Sequence, residues 1–324
     1  SSVSGNELGS LGRGWSNSLD QRVVQSACGR TMVVGAAGGS AEFREDGLNA
    51  DGTVRFKGLK GSFATLKKDS IGYDFFALDG TRYRFDTASG ARESGVRLTF
   101  IEDLNSNRLT YTYRILDGVA RVSQVSDSAG RALNLSYTLK NFELRQLGQT
   151  RRESAWVLDT LAGPEDLTIS YRYDLAGNLS AVEQRLGTLI GFKQSYGYTD
   201  FGSAIYQAPD GPTVRWLGYR LTRATDDNRG AETTYRYIDW TDVIRAGTRV
   251  VQLPTKRLDR VSLLDGGATT FTYGVLQTDV LDARSTNTVY RFNTYGAVEQ
   301  ETVSYTHLRA HETKANLVCR LLLE

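Results

Sequence analysis

Histidine is nearly missing from this chain: two stand among its 324 residues, His307 and His311. That removes Ser-His-Asp and Cys-His catalysis and His-ligated zinc from residues 1–302. Two cysteines, one methionine and four prolines complete the scarcities. Cys28 is the sole cysteine before residue 303, so no internal disulfide forms there and the redox compartment stays open. No stretch nears the roughly 18 uninterrupted apolar residues of a membrane helix. No charged-then-apolar leader follows Ser1. Charge of one sign is lacking too. The whole chain carries +2, and without Arg309, Lys314, Arg320, Glu312 and Glu324 the balance is 36 basic against 35 acidic residues. A nucleic-acid partner, which would need a clustered basic stripe, is not expected.

What is present is glycine and tyrosine, 33 and 17 residues, within a 40% hydrophobic composition. Short strands joined by glycine turns leave such a signature, and disorder, collagen and coiled coil do not. Internal repeats confirm the texture. The clearest unit is Tyr171-Arg-Tyr173-Asp174-Leu-Ala-Gly177-Asn178-Leu179. Tyr290-Arg-Phe292-Asn293-Thr-Tyr-Gly296 follows the same frame, and Tyr83-Arg-Phe85-Asp86-Thr-Ala-Ser-Gly90 follows it with one extra residue. Looser copies are Tyr196-Gly-Tyr198-Thr-Asp200, Tyr235-Arg-Tyr237-Ile-Asp239 and Tyr111-Thr-Tyr113. A half-motif precedes several: Asp103 to Tyr111, Asp127-Ser-Ala-Gly130 to Tyr137, and Asp226 to Tyr235.

Aromatics two apart share one face of a strand, while the residue between them points away. Asp opens a turn through its carboxylate, and Gly or Asn three or four residues on takes the positive-φ position. Each unit is thus strand, turn and strand, recurring about every twenty residues. Single hairpins are marginal in water, so the units must pair side by side. The expected fold is all-β: tandem hairpins in a long antiparallel sheet, wide enough that it must curl into a curved wall or open spiral. Helix has one weak candidate, between Leu139 and Gly163, where a longer hairpin fits as well. The first region, 1–95, opens with Leu11-Gly12-Arg-Gly14-Trp15-Ser16-Asn-Ser18-Leu19-Asp20 and differs in texture from the repeats of 96–302, although the sheet is expected to run through that soft boundary.

The Tyr-Arg-Tyr-Asp-x-x-Gly-Asn-Leu unit resembles the Tyr-Asp repeat of the Rhs (rearrangement hotspot) family, and the Gly-Trp-Ser segment resembles the one that opens the family's repeat region. The resemblance covers about residues 8–302. It implies a spiralling sheet that closes into a hollow shell around a C-terminal toxin domain, as in bacterial polymorphic toxins and animal teneurins. Partners implied are further repeats, the enclosed toxin and a secretion apparatus, with the complete protein secreted or at the cell surface. The family's autoproteolytic segment has Asp-Pro dipeptides, and this sequence has none. Residues 303–324 depart from the repeat texture, and their back-translation resembles sequencing-library adapter. They are expected to be a non-native tail.

Glu102/Asp103 and Asp226/Asp227 pair carboxylates but sit in turn half-motifs, where a solvated turn is the ordinary explanation. Gly35-Ala-Ala-Gly-Gly39 lacks the Lys-Ser/Thr of a phosphate loop, and Cys28 reads as a structural thiol. Asn134 and Asn178 match the glycosylation sequon, relevant only in a eukaryotic secretory host. No catalytic, metal or cofactor residue is assigned. The expectation is a non-catalytic structural fragment of an encapsulating β-shell. The alternative is a cell-surface adhesion or carbohydrate-binding wall protein, with glycan as its partner.

Overall fold

The computed structural model describes residues 8–304 except 16, 26–29, 36–38, 60–62, 88–95, 147–148, 203, 208–212, 217, 247–248 and 294–297. Cys28, Gly296, the centre of the Gly35–Gly39 run, both histidines and residues 305–324 lie outside the described residues. Among those described there is no helix, and 22 strands follow one antiparallel ladder. The protein is all-β with a long curved sheet. The chain folds as two compact units: Ser1–Leu221 with Asp226–Gly230, and Thr222–Thr225 with Ala231–Glu324.

In the first unit, eight strands close on themselves. They are Arg22–Gln25, Thr31–Val34, Ser40–Leu48, Val54–Gly58, Thr65–Lys68, Gly72–Phe76, Arg82–Asp86 and Val96–Glu102. Each pairs with the next, and the last pairs back to the first through Val96–Val23 and Arg97–Arg22. Period-two alternation sends one large side chain from each strand inward: Val23, Val33, Phe43, Phe56, Leu66, Tyr73, Phe85 and Leu98, all buried. An eight-stranded closed sheet has an interior just wide enough for such a filling. The ring is a packed core, not a pore.

Val96–Glu102 divides its free edge. Its first residues pair with Arg22–Gln25, whereas Phe100, Ile101 and Glu102 pair with Arg108–Leu116. The sheet therefore continues beyond the closed ring without a break near residue 95. Val119–Asp127, Ala132–Gln146, Gln149–Ala162, Leu167–Tyr173, Leu179–Leu186 and Leu189–Asp200 follow in sequence order. The weak helix candidate is strand: Ala132–Gln146 and Gln149–Ala162 form a long hairpin paired from Asn134–Ala162 to Gln146–Gln149.

The second unit continues the pattern with Ala231–Ala246, Arg249–Leu263, Ala268–Gly274, Gln277–Leu281, Asn287–Phe292 and Val298–Ser304. The last strand pairs Val303 with Thr288 and Ser304 with Asn287, so the ladder reaches two residues into the segment expected to be a non-native tail. Among the described residues of this unit, Ala224 alone is a buried hydrophobic.

Candidate functional site

The repeat unit is built around a bulge. Tyr171-Arg172-Tyr173 pairs with Val182, Ala181 and Leu179, leaving Ser180 over opposite the second aromatic. Tyr290-Arg291-Phe292 pairs with Glu301, Gln300 and Val298, leaving Glu299 over in the same place. The same irregularity stands opposite Phe85, Tyr113, Tyr137 and Tyr237, where the spare residues are Thr99, Ser123, Asp159 and Asp259. In Val119–Asp127 the buried residues are Ala120, Val122 and Val125, so the inward alternation skips a step at Ser123. Each bulge breaks the ladder and adds right-handed twist.

At five of these six bulges a tyrosine from a neighbouring strand repairs the break. Tyr113 Oη donates to Leu98 O at 2.6 Å, Tyr137 to Val122 at 2.9 Å, Tyr173 to Leu158 at 2.7 Å, Tyr198 to Leu179 at 2.7 Å and Tyr273 to Leu258 at 2.5 Å. Every acceptor is the residue just before a bulge. Burial holds the hydroxyls of Tyr113, Tyr173 and Tyr198 well above the usual phenol range and lifts Tyr137 to about 12. They remain donors through the physiological range. Tyr235 and Tyr237 lie along Ala231–Ala246 on the half-buried face. Tyr111 is buried in the core cluster, with Tyr83 and Tyr171 packed against it.

The Asp turns are five-residue loops. Asp103, Asp127 and Asp174 each accept main-chain N–H bonds at Oδ1, from Asn105 and Asn107, from Ala129 and Arg131, and from Asn178. The fourth residue takes positive φ: Ser106 at 64°, Gly130 at 83° and Gly177 at 85°. Bonds from Asn107 and from Arg131 hold the carboxyls of Asp103 and Asp127 below the usual range. One expected turn residue, Asp239, is instead inside a strand, and most of the segment after Asp86 lies outside the described residues. Asp86 ends Arg82–Asp86, where its Oδ1 accepts from Arg84 Nε at 2.7 Å and its Oδ2 from Thr99 Oγ1 at 2.7 Å. Asp239 lies within Ala231–Ala246 and pairs with Lys256. In both, an available cation holds the carboxylate along the ladder.

Arg84, the residue between two aromatics, does not point to solvent as its frame predicts. It is 7% exposed and held by Asp69, Asp74 and Asp86. Its bond draws the Asp69 carboxyl far below the usual range. Three carboxylates thus converge on a guanidinium. Among the described residues no group of three or more His, Cys, Asp or Glu is arranged to hold a metal ion.

The opening segment lands on the repeats far along the chain. Leu8–Gly9 and Gly12–Arg13 form a small hairpin. Its Ser10 O accepts from Leu158 N at 2.8 Å, and Arg13 N donates to Gly177 O at 3.0 Å. Arg13 Nε donates to Ala176 O at 2.8 Å, and its other end reaches Glu153 Oε2 at 2.7 Å. Gly12 is required there, because a Cβ would sit 2.5 Å from Gly177 O. Trp15 Nε1 donates to Tyr198 Oη at 2.7 Å, and its ring lies 4.9 Å from that of Tyr196. Asp20 accepts from Arg97 at 2.6 Å beside the seam of the closed ring. The Gly-Trp-Ser motif points to Trp15 but not to Arg13. The signal for it is an arginine set between two glycines, Gly12 and Gly14.

Both paired-carboxylate candidates are engaged in turns. Glu102 accepts from Arg108 Nε at 2.9 Å while Asp103 caps its loop. Asp226 Oδ1 accepts from Asn228 N at 3.1 Å, and Asp227 accepts from Ser195 Oγ at 2.9 Å. Asn178 is 2% exposed and donates to Asp174, so its sequon is closed. Asn134 accepts from Gln124 on the exposed surface.

No family model matches the chain, and no curated protein matches it in sequence. Among solved structures, similarity is found to a crystal structure of TcdB2-TccC3, at 11% identity and TM-score 0.42 over 95% of this chain. This chain spans 21% of that one. A porin-like protein from Bacteroides uniformis aligns at 11% identity and TM-score 0.26, covering 92% of this chain and 97% of that one. A structure of TcdB2-TccC3-Cdc42 aligns at 12% identity and TM-score 0.25, covering 88% and 18%. Identities and scores this low leave the resemblance at the level of extended β structure.

Proposed function

We propose that residues 8–302 are a length of wall in the enclosing β-shell of a bacterial Rhs-type polymorphic toxin, with no catalytic activity of their own. The observation that carries this reading is the tyrosine stitch. Five hydroxyls bind carbonyls beside bulges, four of them 15 residues earlier in the chain. Such a device bends a sheet and fixes its bend, unit after unit, and asks nothing of a substrate. The partners in this reading are further repeats, an enclosed toxin domain and a secretion apparatus, and the complete protein is secreted or displayed at the surface. The repeat tyrosines serve packing: Tyr111 is buried, and Tyr171, Tyr173, Tyr196 and Tyr198 are half-buried. That favours wall over glycan platform.

The test is to express the uninterrupted gene and treat the purified protein with protease. A shell leaves a C-terminal domain protected until the wall is unfolded, and electron microscopy shows a closed particle. An extended, anchored protein with no enclosed domain, and with binding on a glycan array, would replace this reading with the adhesion alternative.

A further inference from the structure

Two asparagines close the same kind of loop in different surroundings. Asn107 and Asn178 each donate a main-chain N–H and Nδ2 to the aspartate four residues earlier, Asp103 at 2.9 and 2.8 Å and Asp174 at 2.8 and 2.9 Å. Asn107 is exposed, so its amide oxygen faces water. Asn178 is 2% exposed, and its Oδ1 accepts no hydrogen bond among the described residues. A buried amide oxygen calls for a donor.

Asn178 lines a cavity of about 370 Å³ in the first unit, where the opening segment meets the repeats. That size lies within the range of small-molecule sites. Trp15 and Tyr198 form part of the wall, and their polar tips are spent: Trp15 Nε1 donates to Tyr198 Oη, which donates in turn to Leu179 O. They offer ring surface alone. Tyr219 adds a third aromatic, and Arg13 and Arg220 add two guanidiniums. Arg13 is fixed by Ala176 O and Glu153, and Arg220 by its Nη1 bond to Tyr219 O at 3.0 Å, so both cations are held in place. Among the described lining residues there is no carboxylate.

We propose that this cavity binds one acidic sugar residue, a hexuronic acid. Each part of the wall matches a part of it. The apolar C–H face of the pyranose lies on the aromatic rings, a ring hydroxyl donates to Asn178 Oδ1, and the carboxylate accepts charge-assisted N–H bonds from Arg220. A neutral hexose meets the first two requirements and not the third. Two guanidiniums with no lining carboxylate disfavour a cationic ligand. The site is a single pocket beside the opening segment, separate from the packing of the repeat tyrosines, and it neither needs nor excludes an enclosing shell.

Calorimetric titration of the intact chain with methyl β-D-glucuronide and methyl β-D-glucoside tests it, because the two differ only in a carboxylate against a hydroxymethyl group. The glucuronide binds about tenfold more tightly or better, the difference of one charge-assisted contact. The indole N–H resonance of Trp15, assigned with a Trp15→Phe variant, shifts as the glucuronide is added. Arg220→Gln lowers the glucuronide to the level of the glucoside and leaves the glucoside unchanged. Should that variant not fold, the two-sugar comparison in the unaltered chain decides. Equal affinity for the two sugars, no binding of the glucuronide, binding without a shift at Trp15, or a preference kept by folded Arg220→Gln overturns the proposal.

Discussion

Tyr173 donates its hydroxyl to the carbonyl of Leu158 at 2.7 Å, and Leu158 is the residue just before the bulge at Asp159. The same oxygen lies 3.3 Å from Ser10 O, so one phenol serves both the repeat and the opening segment. Tyr171, two residues earlier on the same face, packs without a hydroxyl bond of this kind. Tyr173→Phe should therefore cost about 1–2 kcal/mol in urea unfolding, whereas Tyr171→Phe should stay within about 0.5 kcal/mol. Equal costs would mean that the hydroxyl stitch contributes nothing.

Gly177 and Gly130 hold the same turn position, at φ 85° and 83°. A Cβ at Gly177 would meet Leu8 Cδ1 at 2.8 Å, and one at Gly130 would meet nothing within 4 Å. Both alanine variants should lose about 1 kcal/mol from the left-handed backbone. Gly177→Ala should lose more, and deletion of residues 1–15 should reduce the excess to the part set by the Phe142 ring at 3.2 Å. If the two variants melt together, the opening segment does not seat on the turn.

Acid should attack the closed ring through Asp69. Its folded carboxyl is held low, chiefly by the bond from Arg84. A lowered acid contributes stability that is present above its unfolded value, about 3.9, and is lost as pH falls toward the folded one. Asp69→Asn should flatten the acid limb of a stability–pH curve below about pH 4. A parallel, merely shifted curve would remove Asp69 as the cause.

Base should act through the stitches. Burial raises the folded values of Tyr113, Tyr137, Tyr173 and Tyr198. Their contribution is complete below the unfolded phenol value, about 10, and falls as pH rises past it, because the unfolded chain then loses protons that the folded one retains. Unfolding followed from pH 9 to 12 should steepen above about pH 10, and Tyr113→Phe should soften the slope.

Residues 1–302 expressed in a bacterial cytoplasm should not arrest growth. Growth arrest by soluble protein, abolished by Asp227→Asn, would reveal an enzyme and sink the wall reading.

Local structure was legible in the sequence because its signals are local. Tyr171 and Tyr173 two apart, and Gly177 three after Asp174, are consequences of pleat and turn geometry within a few residues. Asp239 misled because the same carboxylate that caps a loop can pair across a ladder, a choice made by Lys256 on the neighbouring strand. The return of Val96–Glu102 to Arg22–Gln25 left no mark either, since two short pairings of ordinary residues close the ring. Arg13 and its partners lie at separations of 140 and 163 residues. Nothing near Arg13 announces Glu153.

That separation orders the events of folding. Most hydroxyl stitches span 15 residues, so each can close while the next hairpin is still being made, a short loop with a small entropic cost. The opening segment is synthesised before the strands it docks on, and its receptors at Leu158, Ala176, Gly177 and Tyr198 follow only much later. It must wait, then clasp a sheet already assembled. Residues 8–15 thus settle after the strands that follow them, and they act as a check that the strands between have formed in register.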